Sequence, residues 1–400
     1  MRALILPLAL CAATVAGAQT SRQFIANTAN PTLPFSSAVR AGDFIYVAGQ
    51  IGDGPIDAKA KGDIRAQTRS TLAGIARILK DAGSSLANAA SVTVYLRNVA
   101  DATAMNETYA TFFPSNPPVR TTVVVSQPLA VPDGLIEISM IAIPNGGERT
   151  VIHPDGWAKS TSPYSYGIRS GNTLFLAGLV ARNTTTNATI TGDVTAQTKV
   201  VLDNGAAILK KAGMSFSDVV ASRVYLTDAS TFQTMNAAYR PYFGDTPPAR
   251  VTVKTGLLSP DNAVEITMTA VKDPSRKAFT TPNADGTPGR ANANLSSAVQ
   301  VGNRLYVSGI TGNTQLNRGD VKAQAAEILA RVGRTLKAAG FSPGDIVDGT
   351  VFLADMSKFA DMNDVYRSWF GGSKFPARAT VGIHPVGDDI LLEIIFMAVK

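Results

Sequence analysis

Cysteine and histidine are almost missing from this chain. Its 400 residues hold one cysteine, Cys11, and two histidines, His153 and His384. Cys11 lies in an apolar N-terminal stretch. Arg2 precedes a largely apolar run from Ala3 to Gly17, and Ala16-Gly17-Ala18 supplies a small-x-small cleavage pattern. Residues 1–18 therefore read as an export signal, cut before Gln19. The run is shorter than the ~20 apolar residues a membrane span needs. The bulky Leu10 before Cys11 disfavours a lipoprotein anchor. The mature chain is then cysteine-free, with no disulfide and no thiol nucleophile, although the implied periplasmic or secreted location permits disulfides.

The two histidines each precede a proline and occupy non-equivalent places. They read as structural or surface residues. Two cannot serve three equivalent sites, which excludes a repeated Ser-His-Asp triad and a repeated His/Cys zinc site. No GxxxxGK[ST] occurs, and no credible GxGxxG follows a strand, so nucleotide cofactors are not expected. The expectation is no cofactor and no metal. A charge of one sign is not concentrated anywhere either. The formal net charge is +7, but Lys and Arg are scattered among acids without a polybasic block. A solvated basic surface is the plain explanation and a nucleic-acid face the sharper one.

What the chain does have, it has three times. Gly62-Asp63-Ile64, Gly192-Asp193-Val194 and Gly319-Asp320-Val321 open helical runs, with Gln67, Gln197 and Gln324 shortly after. Met-Asn-x-x-Tyr follows at Met105 to Tyr109, Met235 to Tyr239 and Met362 to Tyr366. Pro-[Val/Ala]-Arg then ends at Arg120, Arg250 and Arg378. An apolar strand with one acid closes each copy, and Glu137, Glu265 and Glu393 stand 128 residues apart. Solenoid repeats run nearer ~20–50 residues, so this period marks a triplicated domain. A chain that is 45% hydrophobic and 17% charged can fill three cores.

Within copy one, Phe44 to Ala48 reads as a strand. Asp63 caps a helix whose Leu72, Ile75, Ile78 and Leu79 form one buried stripe, and Gly83 ends it. Val92 to Leu96 is a strand, Ala102 to Phe113 a second helix, and Arg120 to Val125 and Leu135 to Ile143 are further strands. Linkers fall at 145–147 and 273–292. Each copy is thus α+β: a mixed, antiparallel-rich sheet with two helices on one face, and an opposite face apolar enough to need covering. The three copies are expected to pack together.

At matched positions only an arginine and a glutamate offer chemistry. Arg120, Arg250 and Arg378 each start a strand two residues after a proline, where a guanidinium fork suits a carboxylate. A salt bridge across a domain interface is the structural alternative. Glu137, Glu265 and Glu393 are flanked by apolar residues, where burial costs free energy unless partnered. Exposure on the outer strand face is the alternative there. Together the pair suits a small anionic substrate, with Arg holding a carboxylate and Glu positioning or deprotonating a water.

These elements resemble the RidA (YjgF) family of reactive intermediate deaminases. That family's Pro-Tyr-Ser turn, then a strand ending in small-Gly, appears as Pro34-Phe35-Ser36 with Ala48-Gly49. It recurs as Pro163-Tyr164-Ser165 with Ala177-Gly178, and as Asn294-Leu295-Ser296 with Ser308-Gly309. The resemblance covers roughly 21–145, 148–272 and 277–400. It implies three chorismate-mutase-like domains packed as an intramolecular pseudo-trimer, where single-domain relatives form homotrimers with clefts between neighbours. It also implies hydrolysis of 2-imino or enamine acids to 2-keto acids and ammonia. The family's carboxylate-binding arginine falls on Arg120, Arg250 and Arg378, and its water-positioning glutamate on Glu137, Glu265 and Glu393. Its site tyrosine falls on Tyr164, with Phe35 and Leu295 in the other copies; its site serine falls on Ser308, with Ala48 and Ala177 elsewhere. No copy holds all four polar residues, so one or two competent clefts are expected. The order of the domains around the ring stays open.

Three functions fit. The first is deamination of imino acids outside the cytoplasm, the second a module that binds carboxylated metabolites without turnover, and the third RNA cleavage or binding. The partner expected is a small carboxylated imine or keto acid, with no nucleic acid and no membrane after signal removal. The chain is expected to act as a monomer.

Overall fold

The computed structural model describes residues 21–52, 58–372 and 374–400. The export segment read at 1–18 lies outside them. Three sheets carry three helix pairs: α1 (Ile64–Asp81) with α2 (Ala102–Phe112), α3 (Val194–Lys211) with α4 (Phe232–Tyr239), and α5 (Val321–Ala338) with α6 (Phe359–Phe370). Capping works as the sequence indicates. The side chains of Asp63, Asp193 and Asp320 accept from the amides of Ala66, Ala196 and Ala323. Gly83, Gly213 and Gly340 follow the long helices at φ +78°, +70° and +77°, the left-handed backbone that ends a helix. α4 is short because Pro241 lacks the amide a further turn needs, and the chain continues as a 3₁₀ turn, Arg240–Tyr242.

In the first domain the strands run in the order Gln23–Ile25, Ala38–Ala41, Phe44–Gln50, Ile136–Ala142, Ala89–Leu96, Val119–Val124. Only the last pair is parallel, as its crossover through α2 requires. The other domains repeat this order. Part of the 273–292 linker is structural: Lys277–Phe279 forms the outer strand of the third sheet. The second sheet gains a seventh strand, His384–Pro385, lent by the third domain and paired with Lys254 and Val253.

The helices cover one face of each sheet, and the neighbouring domains cover the other. One core draws on all three copies, with Tyr95, Tyr225 and Phe352 packed among Val123, Val253 and Val381. Hydrogen bonds close the ring. The amide of Val124 donates to Gly256 O at 2.9 Å, and that of Ser126 donates to Gly382 O at 3.0 Å. The triplicated chain is a pseudo-trimer about a central axis.

The repeated glutamine proves to be a clamp. Gln67 Nε2 donates to Ala60 O and Asp133 O, and its Oε1 accepts from the Leu135 amide, two residues before Glu137. Gln197 and Gln324 hold the approaches to Glu265 and Glu393 the same way. Gln197→Ala strands buried backbone groups and is expected to cost about 2–4 kcal/mol. Urea denaturation measures this; an unchanged midpoint would mean the clamp is dispensable.

Candidate functional site

Each Arg strand lies against the next domain's bulged strand. In the first domain Val47 pairs with Met140 and Gln50 with Ile138, so the ladder is irregular at Ala48-Gly49; the third shows the same between Val307 and Ile310. Such a bulge re-aims the chain. Here it turns the backbone towards the neighbour. The Gly178 amide donates to Arg120 O at 3.1 Å, and the Ser165 hydroxyl donates to Pro117 O at 2.6 Å. Ser296 donates to Pro247 O and Ser36 to Phe375 O, both also at 2.6 Å. These bonds fix the cyclic order the sequence left open. Domain 1 faces domain 2, domain 2 faces domain 3, and domain 3 faces domain 1.

Every cleft therefore takes its arginine from one domain and its glutamate from the next. Arg120 acts electrostatically with Glu265, Arg250 with Glu393 and Arg378 with Glu137. All six are buried. Among the described residues no ion pair joins an arginine to its glutamate. The interface salt bridge allowed by the sequence is thus not what these arginines make, and the glutamates do not sit on an outer face.

The arginines are held in place by the Met-Asn-x-x-Tyr motif. Arg120 Nη2 donates to Asn106 Oδ1 at 2.6 Å, and Arg250 and Arg378 donate to Asn236 and Asn363 at 2.7 Å. Each guanidinium lies over a buried ring: Tyr109 at 4.8 Å, Tyr239 at 4.8 Å and Tyr366 at 4.6 Å. Arg120 Nη1 and both Nε and Nη1 of Arg378 are buried with no protein acceptor. A buried cation with unused donors is a receptor for an anion. Burial lowers the basicity of all three arginines, Arg378 to about 10.

The carboxyls sit under the bulge glycines. A β-carbon at Gly49, Gly178 or Gly309 would collide with Oε1 of Glu137, Glu265 or Glu393, so glycine there makes room for the acid. Burial pushes each carboxyl up to about 8, although the facing arginine pulls the other way. The backbone of Thr380 supports Glu137, and that of Thr122 supports Glu265, each through a hydrogen bond from the neighbouring domain. A carboxyl poised near neutrality can both take and return a proton.

The three clefts are not equal. The cleft between domains 1 and 2 contains Tyr164, whose phenol acts on Arg120, with Arg182 acting on Glu265. A small cavity on the second domain's side, lined by Trp157, Tyr164, Gly178 and Arg182, adjoins it. The 2–3 cleft has Leu295 and Ser308. The Ser308 hydroxyl accepts from the Arg250 amide at 2.8 Å and donates to Ser296 O at 2.5 Å. It is committed to positioning backbone. The 3–1 cleft presents Phe35, 5.6 Å from the Arg378 guanidinium. Tyr164 and Ser308 do not meet, because both family positions come from the glutamate-bearing domain. Combining neighbours therefore completes no cleft.

That an arginine and a glutamate recur in every copy was visible in the repeats. The Asn clamp and the Tyr platform lay inside a repeated motif whose role the sequence did not reveal. Arg182 carried no such signal, since the equivalent place in the third copy is Asn313.

The family model described as endoribonuclease L-PSP matches residues 26–144, 157–272 and 287–400. This chain belongs to that family. Two curated relatives match it at single-domain length. A RutC family protein of Sulfurisphaera tokodaii is 43% identical over 114 residues, 28% of this chain and 91% of the relative. A RutC family protein of Pyrococcus horikoshii is 41% identical over 125 residues, 31% of this chain and 99% of the relative. Among solved structures, the YjgF gene product of E. coli is 32% identical and covers 31% of this chain and 98% of its own, with a TM-score of 0.29. A chorismatase covers 78% of this chain and 93% of its own at 15% identity and a TM-score of 0.52, a likeness of fold alone. The RidA (YjgF) resemblance and the triplicated α+β fold both hold.

Proposed function

We propose that this member of the family hydrolyses small 2-imino or enamine acids to 2-keto acids and ammonia, with the 1–2 cleft as its working site. The observation that carries this is the meeting of Arg120, Glu265 and Tyr164 across one domain boundary. The substrate carboxylate is held by the unused Nη1 donor of Arg120. Water adds to the imine carbon, and Glu265 passes one proton from the water to the nitrogen. The carbinolamine then collapses. Its C–N bond breaks, the hydroxyl proton passes through the same carboxylate to nitrogen, and ammonia leaves. One water is consumed and no cofactor enters the balance.

The other clefts fit the second function. With Leu295 or Phe35 in place of tyrosine, they bind carboxylates without turnover. An RNA substrate fits poorly, because Arg120, Arg250 and Arg378 are at most 4% exposed and out of reach of a polynucleotide backbone. The reaction is placed outside the cytoplasm on the strength of the export-like segment alone, and the chain acts as a monomer containing its own trimer.

The test generates an imine in situ with an amino-acid oxidase and lets semicarbazide compete for it. Added protein is expected to lower semicarbazone formation. No difference between wild type and the Arg120→Ala/Arg250→Ala/Arg378→Ala variant would leave a binding protein. Gly178→Ala provides a check that keeps every polar group. Its methyl displaces the Glu265 carboxylate, the mobile end of a side chain, so the fold is expected to survive while activity falls about 10²-fold. Full activity in a well-folded Gly178→Ala protein would remove Glu265 from the reaction.

A further inference from the structure

A second cavity lies on the central axis, and Arg250 of the 2–3 cleft reaches its wall. Its volume is about 120 Å³, and the strands Ala89–Leu96, Val219–Leu226 and Ile346–Leu353 line it, one from each domain. The equivalence of these strands is fixed by register. Thr93, Arg223 and Thr350 pair with Ser139, Thr267 and Ile395, while Ser91, Ala221 and Asp348 pair with Ile141, Thr269 and Met397. At these matched positions one copy alone carries a cation, Arg223, and another alone an anion, Asp348.

In a homotrimer, a side chain at such a position would recur three times around the axis. Three guanidiniums would repel one another in a medium where each charge is already costly. Triplication within one chain lifts that restriction, and this chain has used the freedom to place two opposite charges. Among the described residues they form no ion pair with each other. Arg223 acts electrostatically with Tyr225, Tyr95 and Asp348, while Asp348 feels Arg223 most strongly and takes a hydrogen bond from the Gly349 backbone. Both retain accessible surface despite their depth, because they face the cavity. Thr93, Thr350 and Tyr46 add hydroxyls to the same wall.

From this geometry we infer a ligand site for a small zwitterion, an α-amino acid, whose carboxylate meets Arg223 and whose ammonium meets Asp348. A guanidinium fork matches a carboxylate, and an ammonium supplies donors for the aspartate and the neighbouring hydroxyls. At ~30 Å³ per water the cavity has room for about four waters, which admits glycine, alanine or serine and rejects aromatic amino acids. The inference does not rest on the deaminase proposal, since Arg120, Glu265 and Tyr164 do not line this cavity, although Arg250 of the 2–3 cleft does.

Isothermal titration of the full mature chain with glycine, alanine, phenylalanine and acetate tests it. The informative variants are Arg223→Thr and Asp348→Ser, which install residues the sister copies already carry there. Wild type is expected to bind alanine at one site per chain, and each variant to bind about tenfold more weakly or worse. The Arg120→Ala/Arg378→Ala variant, which spares the cavity-lining Arg250, should bind as wild type does. The double variant Arg223→Thr/Asp348→Ser should melt no lower than wild type without ligand, since replacing two desolvated charges that act on each other without a direct ion pair is neutral or stabilising. The site is refuted if wild type binds no small amino acid, if binding survives in the Arg223→Thr/Asp348→Ser variant, or if it disappears in the Arg120→Ala/Arg378→Ala variant. Acetate binding as tightly as alanine would overturn the zwitterion assignment. A lower melting temperature in the double variant would show the two charges to be structural.

Discussion

Arg120→Ala is expected to lower kcat/KM for imine hydrolysis about 10²–10³-fold, while Arg250→Ala and Arg378→Ala leave it nearly unchanged. Truncating one partner of a buried charge-assisted contact typically costs about 2–5 kcal/mol, which sets that range. The asymmetry follows from the company each arginine keeps. All three have an Asn clamp, a Tyr platform and a glutamate across the boundary. Only Arg120 also faces Tyr164. Arg120→Lys retains the charge without the planar fork, so it separates geometry from electrostatics and controls for folding; it should fall between the two. Steady-state kinetics with the oxidase-coupled assay measures the series. Equal losses in all three single variants would mean three working clefts and would overturn the assignment to one.

Glu265→Gln should remove about 10²–10⁴-fold of the rate and, with it, the pH dependence. Burial holds the Glu265 carboxyl up to about 8. The base form that accepts a proton from water therefore accumulates only as pH rises through that value. Activity of the wild type should climb across pH 7–9 and level off above, whereas the glutamine variant should stay flat. A wild-type profile with no inflection near 8 would exclude this carboxylate as the base.

The same shift has a consequence for stability, with a fixed sign. Ordinary glutamate titrates near 4.5, so between about 4.5 and 8 the folded chain keeps protons that the unfolded chain has released. The contribution of these three groups to stability is complete below that window. It is lost as pH rises through it, and Glu→Gln substitution should flatten the slope.

Much of this molecule is readable without coordinates. The 128-residue recurrence of Glu137, Glu265 and Glu393 gives the number of domains. Asp63, Asp193 and Asp320 before apolar stripes locate the long helices, because capping and helical spacing are local properties. The arginine and glutamate could be singled out because their repeats survive when histidine and cysteine chemistry has been excluded.

What the chain could not show is everything that depends on which surfaces meet. Arg120 belongs with Glu265 rather than with Glu137 of its own domain, and no spacing states this. It follows from hydrogen bonds such as Gly178 to Arg120 that form only once the ring closes. Tyr164 and Ser308 fall on two positions of the family's site in different copies; packing keeps them in two clefts and turns Ser308 towards backbone. Arg223 and Asp348 look like ordinary strand charges until three sheets bring them to a common cavity. Sequence determines what each segment does with its own backbone, since those interactions span a few residues. Tertiary structure decides which charges share a low-dielectric space, and there both the cost of an unpaired charge and the strength of a ligand contact are set.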